Sequence, residues 1–271
     1  MAGILFPTDF SPASDNALEF AIEMAKRNHA RIVLLHAYQV HAFDANSLAP
    51  EITVQAFHEA VTKKLEALKT ELLSRHLMNI EICASFGFTV DAIEQGTQDF
   101  DIDFVMLGTT GSSSLENKLL GSTTADCIAR LKKPVMAIPL NAQFRGMDKI
   151  IFASALHKDE LPALEKLNEM LQHFGAEVTV AHIFSGDDKQ AMEFSIFQEL
   201  ADAKLFNCKT HFRQFSGNVI DGIEQSIRFQ KTDLLAMVTH HRNFFEKIFD
   251  KSLTKKMALH TDVPLIAFQA E

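Results

Sequence analysis

The chain has 271 residues, room for about two domains at roughly 150 residues each, and its 47% apolar and 23% charged content is that of a soluble globular protein. A net charge of -9 without a clustered basic face argues against nucleic acid as the main partner. No run approaches the roughly eighteen apolar residues of a membrane helix, so no membrane partner is expected.

Along the chain, short β-rich runs alternate with helical patterns. The first is "GILF", at an amino terminus without the basic and apolar stretches of a secretory leader. A helix follows, beginning at Ser11 with Pro12 at its first position and a buried stripe of Leu18, Ala21, Ile22 and Ala25. Then come "RIVLLHA", "NIEICAS", "DFVMLG" and "PVMAI" with amphipathic segments between them, the order of a parallel sheet with crossover helices. "IVLL" is apolar throughout, as a strand covered on both faces must be.

The same order then returns. "NHARIVLLHA", from Asn28, aligns without a gap on "FGAEVTVAHI", from Phe174, at an offset of 146. "VDAIEQGTQDFDIDFVMLG", from Val90, aligns on "IDGIEQSIRFQKTDLLAMV", from Ile220, at an offset of 130, and Pro134 falls on Pro264. The first copy therefore carries about sixteen extra residues between its second and third strands. The junction falls in the polar connector "NAQFRG", between a first domain 1–141 and a second 147–271.

"LGTTGSSSLENKLLGSTTAD", Leu107 to Asp126, follows the fourth strand with three glycines and a Gly-Ser-Thr-Thr cluster ahead of a helix. Two readings compete. In the functional one, glycines let the backbone approach a sugar or phosphate, and helix-start amides point at an anion. Pro7, Thr8 and Asp9, His36 to Tyr38, and Gly108 all follow carboxyl ends of strands, where open doubly wound sheets hold ligands. In the plainer one, the glycines are turn residues and Thr123 with Asp126 forms a capping box. No Walker A loop or dinucleotide fingerprint occurs.

"PTDFS" after the first strand, "LLHA" ending the second, and Gly108-x2-Gly111-x9-Gly121-Ser122 after the fourth resemble the universal stress protein family in its tandem two-domain form. The resemblance spans the chain. It implies an α/β fold of two tandem doubly wound, Rossmann-like parallel-sheet domains that pair through their last strands, "PVMAIP" against "PLIAFQ", as an internal pseudo-dimer. It also implies an adenine nucleotide (ATP, ADP or AMP, with or without Mg) as ligand and a homodimer as a further assembly. In that pattern Pro7, Thr8 and Asp9 meet the nucleoside, Ala37 lies against adenine, and Leu107, Gly108, Gly111, Gly121, Ser122 and Thr123 line ribose and phosphates. Thr109 and Thr110 stand where relatives often carry a basic residue, and Lys118 is the one cation of the loop.

The second copy departs from the pattern: Ala155 replaces Asp9, Val238 replaces Gly108, His241 replaces Gly111 and Lys251 replaces Gly121, while Ser252 is kept. One nucleotide per chain is expected. "THHRNFFEKIFDKS" reads either as a second anion site of His240, His241, Arg242 and Lys251 or as a solvated basic loop anchored by Phe244, Phe245 and Phe249. His36 and His182 fall at equivalent strand ends, as structural residues or as a zinc pair. Cys83, Cys127 and Cys208 have no metal or redox spacing and suit a reducing, cytoplasmic compartment. A nucleotide-binding stress-response module and a slow ATP hydrolase or nucleotide transferase both remain open. The first is preferred, because phosphoryl transfer needs positioned charge that the motif does not supply.

Overall fold

A computed structural model describes residues 3–39, 50–109, 121–184, 189–216, 219–239 and 263–270. The first half runs β1 (Gly3–Pro7), α1 (Pro12–Asn28), β2 (Arg31–Tyr38), α2 (Pro50–Arg75), β3 (Ile80–Phe86), α3 (Thr89–Asp99), β4 (Phe104–Gly108), α4 (Ser122–Arg130) and β5 (Val135–Ile138). The second runs β6 (Lys149–Ser154), a 3-10 turn at Lys158–Glu160, α5 (Leu161–Leu171), β7 (Glu177–Phe184), α6 (Lys189–Lys204), β8 (Lys209–Ser216), α7 (Val219–Gln230), β9 (Leu234–Thr239) and β10 (Leu265–Gln269). The expected strands are all present, and the repeat is visible in their order.

The ten strands make one sheet, β3-β2-β1-β4-β5-β10-β9-β6-β7-β8. Every pairing is parallel except β5 with β10, which is antiparallel. Met136 faces Ile266, while Ala137 faces Leu265 and Val135 faces Ala267. Met136 and Ile266 are equivalent positions of the repeat, so an internal two-fold passes through their pair. The last strands thus close each other's edge, as the tandem reading expected.

Alternation along the strands builds two cores. Ile4 and Phe6 point to the face covered by α1, α2, α5 and α6, and Leu5 to the face covered by α3, α4 and α7. Both cores continue across the β5–β10 seam: Met136, Phe152 and Phe268 share one, and Val135 and Ala267 the other. Burial on both faces explains why β2 is apolar along its length. Helix α1 starts where the sequence placed it, with Ser11 Oγ accepting from Ser14 N at 3.3 Å, Pro12 following, and Leu18, Ala21, Ile22 and Ala25 buried.

Much of the extra length of the first half lies in α2, which has 26 residues against 16 in α6. At 1.5 Å per residue, α2 is about 39 Å long, against about 23 Å for the seven-residue β3. Leu65 and Leu72 are buried against the sheet, while residues 55–60 are exposed. The first turns of α2 therefore run on past the carboxyl ends of the strands.

The seam register gives a direct test. With the native cysteines replaced by alanine, Ala137→Cys with Leu265→Cys forms a cross-link within one chain under mild oxidation. The product migrates at monomer mass and reverts on reduction. Covalent dimers in its place would show that these strands pair between chains.

Candidate functional site

In the order β3-β2-β1-β4-β5, the chain leaves β1 toward β2 on one side and finds β4 on the other. That reversal opens a crevice at the carboxyl ends of β1 and β4, the usual ligand position in such sheets. Ile4 pairs with Phe104 and Leu5 with Val105, so Pro7 to Asp9 and Leu107 to Gly108 lie side by side at its rim. Ala37, near the end of β2, is half-buried beside them. Gly121, Ser122 and Thr123, at the start of α4, reach the same end of the sheet. Gly111 and Lys118 lie outside the described residues.

The turn from β1 into α1 is held by side chains. Thr8 N–H donates to Leu35 O at 2.8 Å, and Thr8 Oγ1 accepts from Phe10 N at 3.0 Å and from Ser14 Oγ at 2.9 Å. His36 Nδ1 donates to Thr8 O at 2.6 Å. Phe10 carries a φ of 57°, a left-handed conformation that is uncommon for an aromatic residue and that this network holds in place. Asp9 is exposed, with Oδ1 accepting from Ser11 N at 3.0 Å, so its carboxylate is oriented at the rim.

Sequence reasoning missed one cation. Lys64 of α2 places its ammonium 3.8 Å from the centroid of the Phe10 ring, whose neighbour is the His36 ring at 4.9 Å. The signal was the extra length before the third strand, which became a helix long enough to overhang the crevice.

Helix α4 bears on the capping-box reading of Thr123 and Asp126. Its N-cap is Gly121, with φ -62° and ψ 151° and no side-chain cap bond. Thr123 therefore lies inside the first turn, and the capping box with Asp126 is not formed. Ala125 N–H makes the first helical bond, to Gly121 O at 3.0 Å, so the amides of Ser122, Thr123 and Thr124 have no carbonyl within the helix. Thr124 Oγ1 is committed to Gly108 O at 3.0 Å, which ties the helix start to the end of β4. Ser122 is exposed and Thr123 half-buried. An oxyanion placed there meets amide donors and the positive end of the helix dipole.

The second half keeps the corner and alters its chemistry. Ser154 stands for Thr8, with Oγ accepting from Leu156 N at 2.9 Å; Leu156 has a φ of 64°; His182 Nδ1 donates to Ser154 O at 3.0 Å. The two histidines thus do one structural job each, bracing the strand-to-helix corner. A shared zinc is ruled out by topology, because β2 and β7 stand seven strands apart, about 34 Å at the usual spacing. Among the described residues, no three His, Cys, Asp or Glu side chains are grouped to hold a metal ion. The His240, His241, Arg242, Lys251 and Ser252 segment, with Phe244, Phe245 and Phe249, lies outside the described residues.

Burial pushes the Cys127 thiol up to about 12, with Asp126 adding to the rise, and burial pushes Cys208 to about 11. Cys83 is also raised, by burial first and Asp99 second. All three are free thiols that stay protonated near neutrality, which makes them poor nucleophiles.

Gly108 has a reason of its own to be glycine. A Cβ built there meets Ala13 O at 2.7 Å and Ala13 C at 2.9 Å, so the first turn of α1 leaves no room for a side chain. In the second half the same stretch is the 3-10 turn Lys158–Glu160, and Val238 is accommodated and buried. Gly108→Ala is expected to destabilise the fold by about 1–3 kcal/mol, because the helix start must back away. Urea unfolding without ligand measures this. Wild-type stability in that variant would mean that the position is kept small for a ligand alone.

The description of the universal stress protein family matches residues 2–139, the half that keeps the glycines. Two universal stress proteins of Methanocaldococcus jannaschii are each 26% identical to this chain, over 151 and 141 residues. Each alignment covers 50% of this chain, and they cover 93% and 80% of the archaeal proteins. The crystal structure of a universal stress protein from Archaeoglobus fulgidus covers 99% of this chain and 98% of its own, with a TM-score of 0.77 at 18% identity. A putative universal stress protein from Pseudomonas aeruginosa covers 99% and 93%, with a TM-score of 0.66 at 11% identity. At those identities the likeness speaks for the fold, and it does so across both halves. With that family matched over residues 2–139, half of its length, the chain belongs to the universal stress protein family.

Proposed function

We propose that the protein is a cytoplasmic ATP-binding regulatory module of the stress response, with one nucleotide site in a first domain, 1–141, and a second domain, 147–271, that has lost its own. The observation that supports this reading is that an oriented, exposed Asp9 after β1 and the uncapped start of α4, tied to the end of β4, stand at the same end of two neighbouring strands. The two groups differ in kind. A carboxylate suits the hydroxyls of a ribose, and backbone amides at a helix start suit phosphate oxygens.

In this reading Asp9 receives the nucleoside, with Pro7 and Thr8 shaping the wall behind it and Ala37 against the base. Leu107, Gly108, Gly111 and Gly121 let the backbone come close, and Ser122 and Thr123 add hydroxyls to the amides at the phosphate end. ADP and AMP share these contacts, so affinity rises with each phosphate that reaches α4. Magnesium, where present, would be held by the phosphates in the main, since hard cations take oxygen ligands and Asp9 is assigned to the nucleoside. Binding is favoured over turnover because phosphoryl transfer needs a positioned base and concentrated positive charge at the γ-phosphate, whereas in this reading Asp9 is assigned to the nucleoside end. Bound and empty forms then present different surfaces at the carboxyl ends of β1 and β4, which is where a regulatory partner would read the state.

Two substitutions separate the ends of the site. Gly121→Val places a branched side chain at the phosphate approach and abolishes ATP binding with the fold intact. Asp9→Ala weakens ATP and adenosine alike, by about ten- to a hundredfold, the equivalent of roughly 1–3 kcal/mol for a lost hydrogen bond to a charged group. Calorimetric titration measures both. Wild-type ATP affinity in both variants would remove the assignment.

A further inference from the structure

The two corners differ most at one position. The residue equivalent to Ser14 is Glu160, and it is 1% exposed. A buried carboxylate is costly unless its oxygens are hydrogen-bonded. Glu160 meets that demand at the crevice: Ser154 Oγ donates to Oε2, and Ala155 N donates to Oε1 at 2.9 Å.

Among the described residues of the first half, the equivalent corner holds no buried carboxylate. Ser14 is one short hydroxyl and reaches only Thr8 Oγ1, while the acidic group of the corner, Asp9, is exposed at the rim. In the second half the rim residue is Ala155, and the carboxylate has moved five positions along the chain and to the inside. The acid has been turned inward. A ligand's oxyanion would need the amide of residue 155 and the hydroxyl of residue 154, and the chain's own side chain already engages both.

We infer that Glu160 is an internal occupant of an oxyanion pocket, and that the Ser154–Ala155 corner is a latent site for a small carboxylate. The pocket is built from a backbone amide and the buried Ser154 hydroxyl, which accepts from Leu156 N while His182 Nδ1 donates to the carbonyl of the same residue. Its second-half crevice is closed from within by the carboxylate, in addition to the loss of Asp9 and Gly108 equivalents. The inference concerns the second half alone and does not depend on nucleotide binding in the first.

Truncation gives the test. Glu160→Ala deletes the atoms of an acetate ion and leaves both donors in a space of that shape, so acetate is the probe. In the full chain, Glu160→Ala is expected to melt roughly 5 °C below wild type. Tens of millimolar sodium acetate should recover most of that loss, matched sodium chloride should not, and neither should move the wild type. Glu160→Ser supplies the residue with which the first half folds, and serves if Glu160→Ala does not fold. Equal effects of acetate and chloride on the variant, an unshifted melting point in Glu160→Ala, or failure of both variants to fold even in acetate would overturn the inference.

Discussion

The antiparallel ladder between β5 and β10 is the constraint on which the rest of the molecule depends. It makes one ten-stranded sheet of two five-stranded halves and carries both cores across the seam. It also sets the halves head to tail. Strands within each half are parallel, so reversal at the seam puts the two crevices at opposite ends of the sheet. The crevices cannot share a ligand, and each is free to diverge. Contacts beyond the ladder reinforce the union: Asn28 Nδ2 of α1 reaches Met170 O of α5 at 3.2 Å, and Gln269 of β10 donates to Ile128 O of α4. The second half is therefore required whatever it binds, because without it the apolar edge of β5 and the first-half side chains packed across the seam would face water.

A second regularity lies in the corners. In both halves a buried hydroxyl, a histidine donating to its carbonyl and a left-handed bulky residue form the turn from strand to helix. What differs is where the carboxylate sits, exposed at the rim as Asp9 or buried within as Glu160. The same backbone thus supports a corner that faces outward and one that satisfies itself. In the first half α1 begins close against β4 and Gly108 is the consequence; in the second a 3-10 turn occupies that stretch and a valine fits.

Much of the fold was legible because its determinants are local or periodic. Apolar runs gave the strands, Ser11 with Pro12 gave the start of α1, and two ungapped alignments gave the repeat. The lateral arrangement came from the family resemblance. Three features were not legible, and each depends on contacts between distant segments. Gly108 is small because of Ala13, 95 positions away in sequence, which no spacing within its own motif reveals. Lys64 reaches Phe10 only because α2 overhangs the sheet. Glu160 is one of several acids in "LHKDELPALEKLNEML" with no local mark, and its burial goes with a helix start that is shifted by three residues relative to α1. The capping-box reading of Thr123 failed for a related reason: Gly121 takes the cap position and moves Thr123 into the helix.

Functional asymmetry between two halves of one architecture is what the proposed function requires. Its most direct test is the stoichiometry of ATP binding to the full chain, stripped of any bound nucleotide and titrated at concentrations well above the dissociation constant. One nucleotide per chain is the predicted result. Two per chain, or none, would contradict it: the first by showing that the inward carboxylate and the lost glycines do not silence the second crevice, the second by removing the site at β1 and β4.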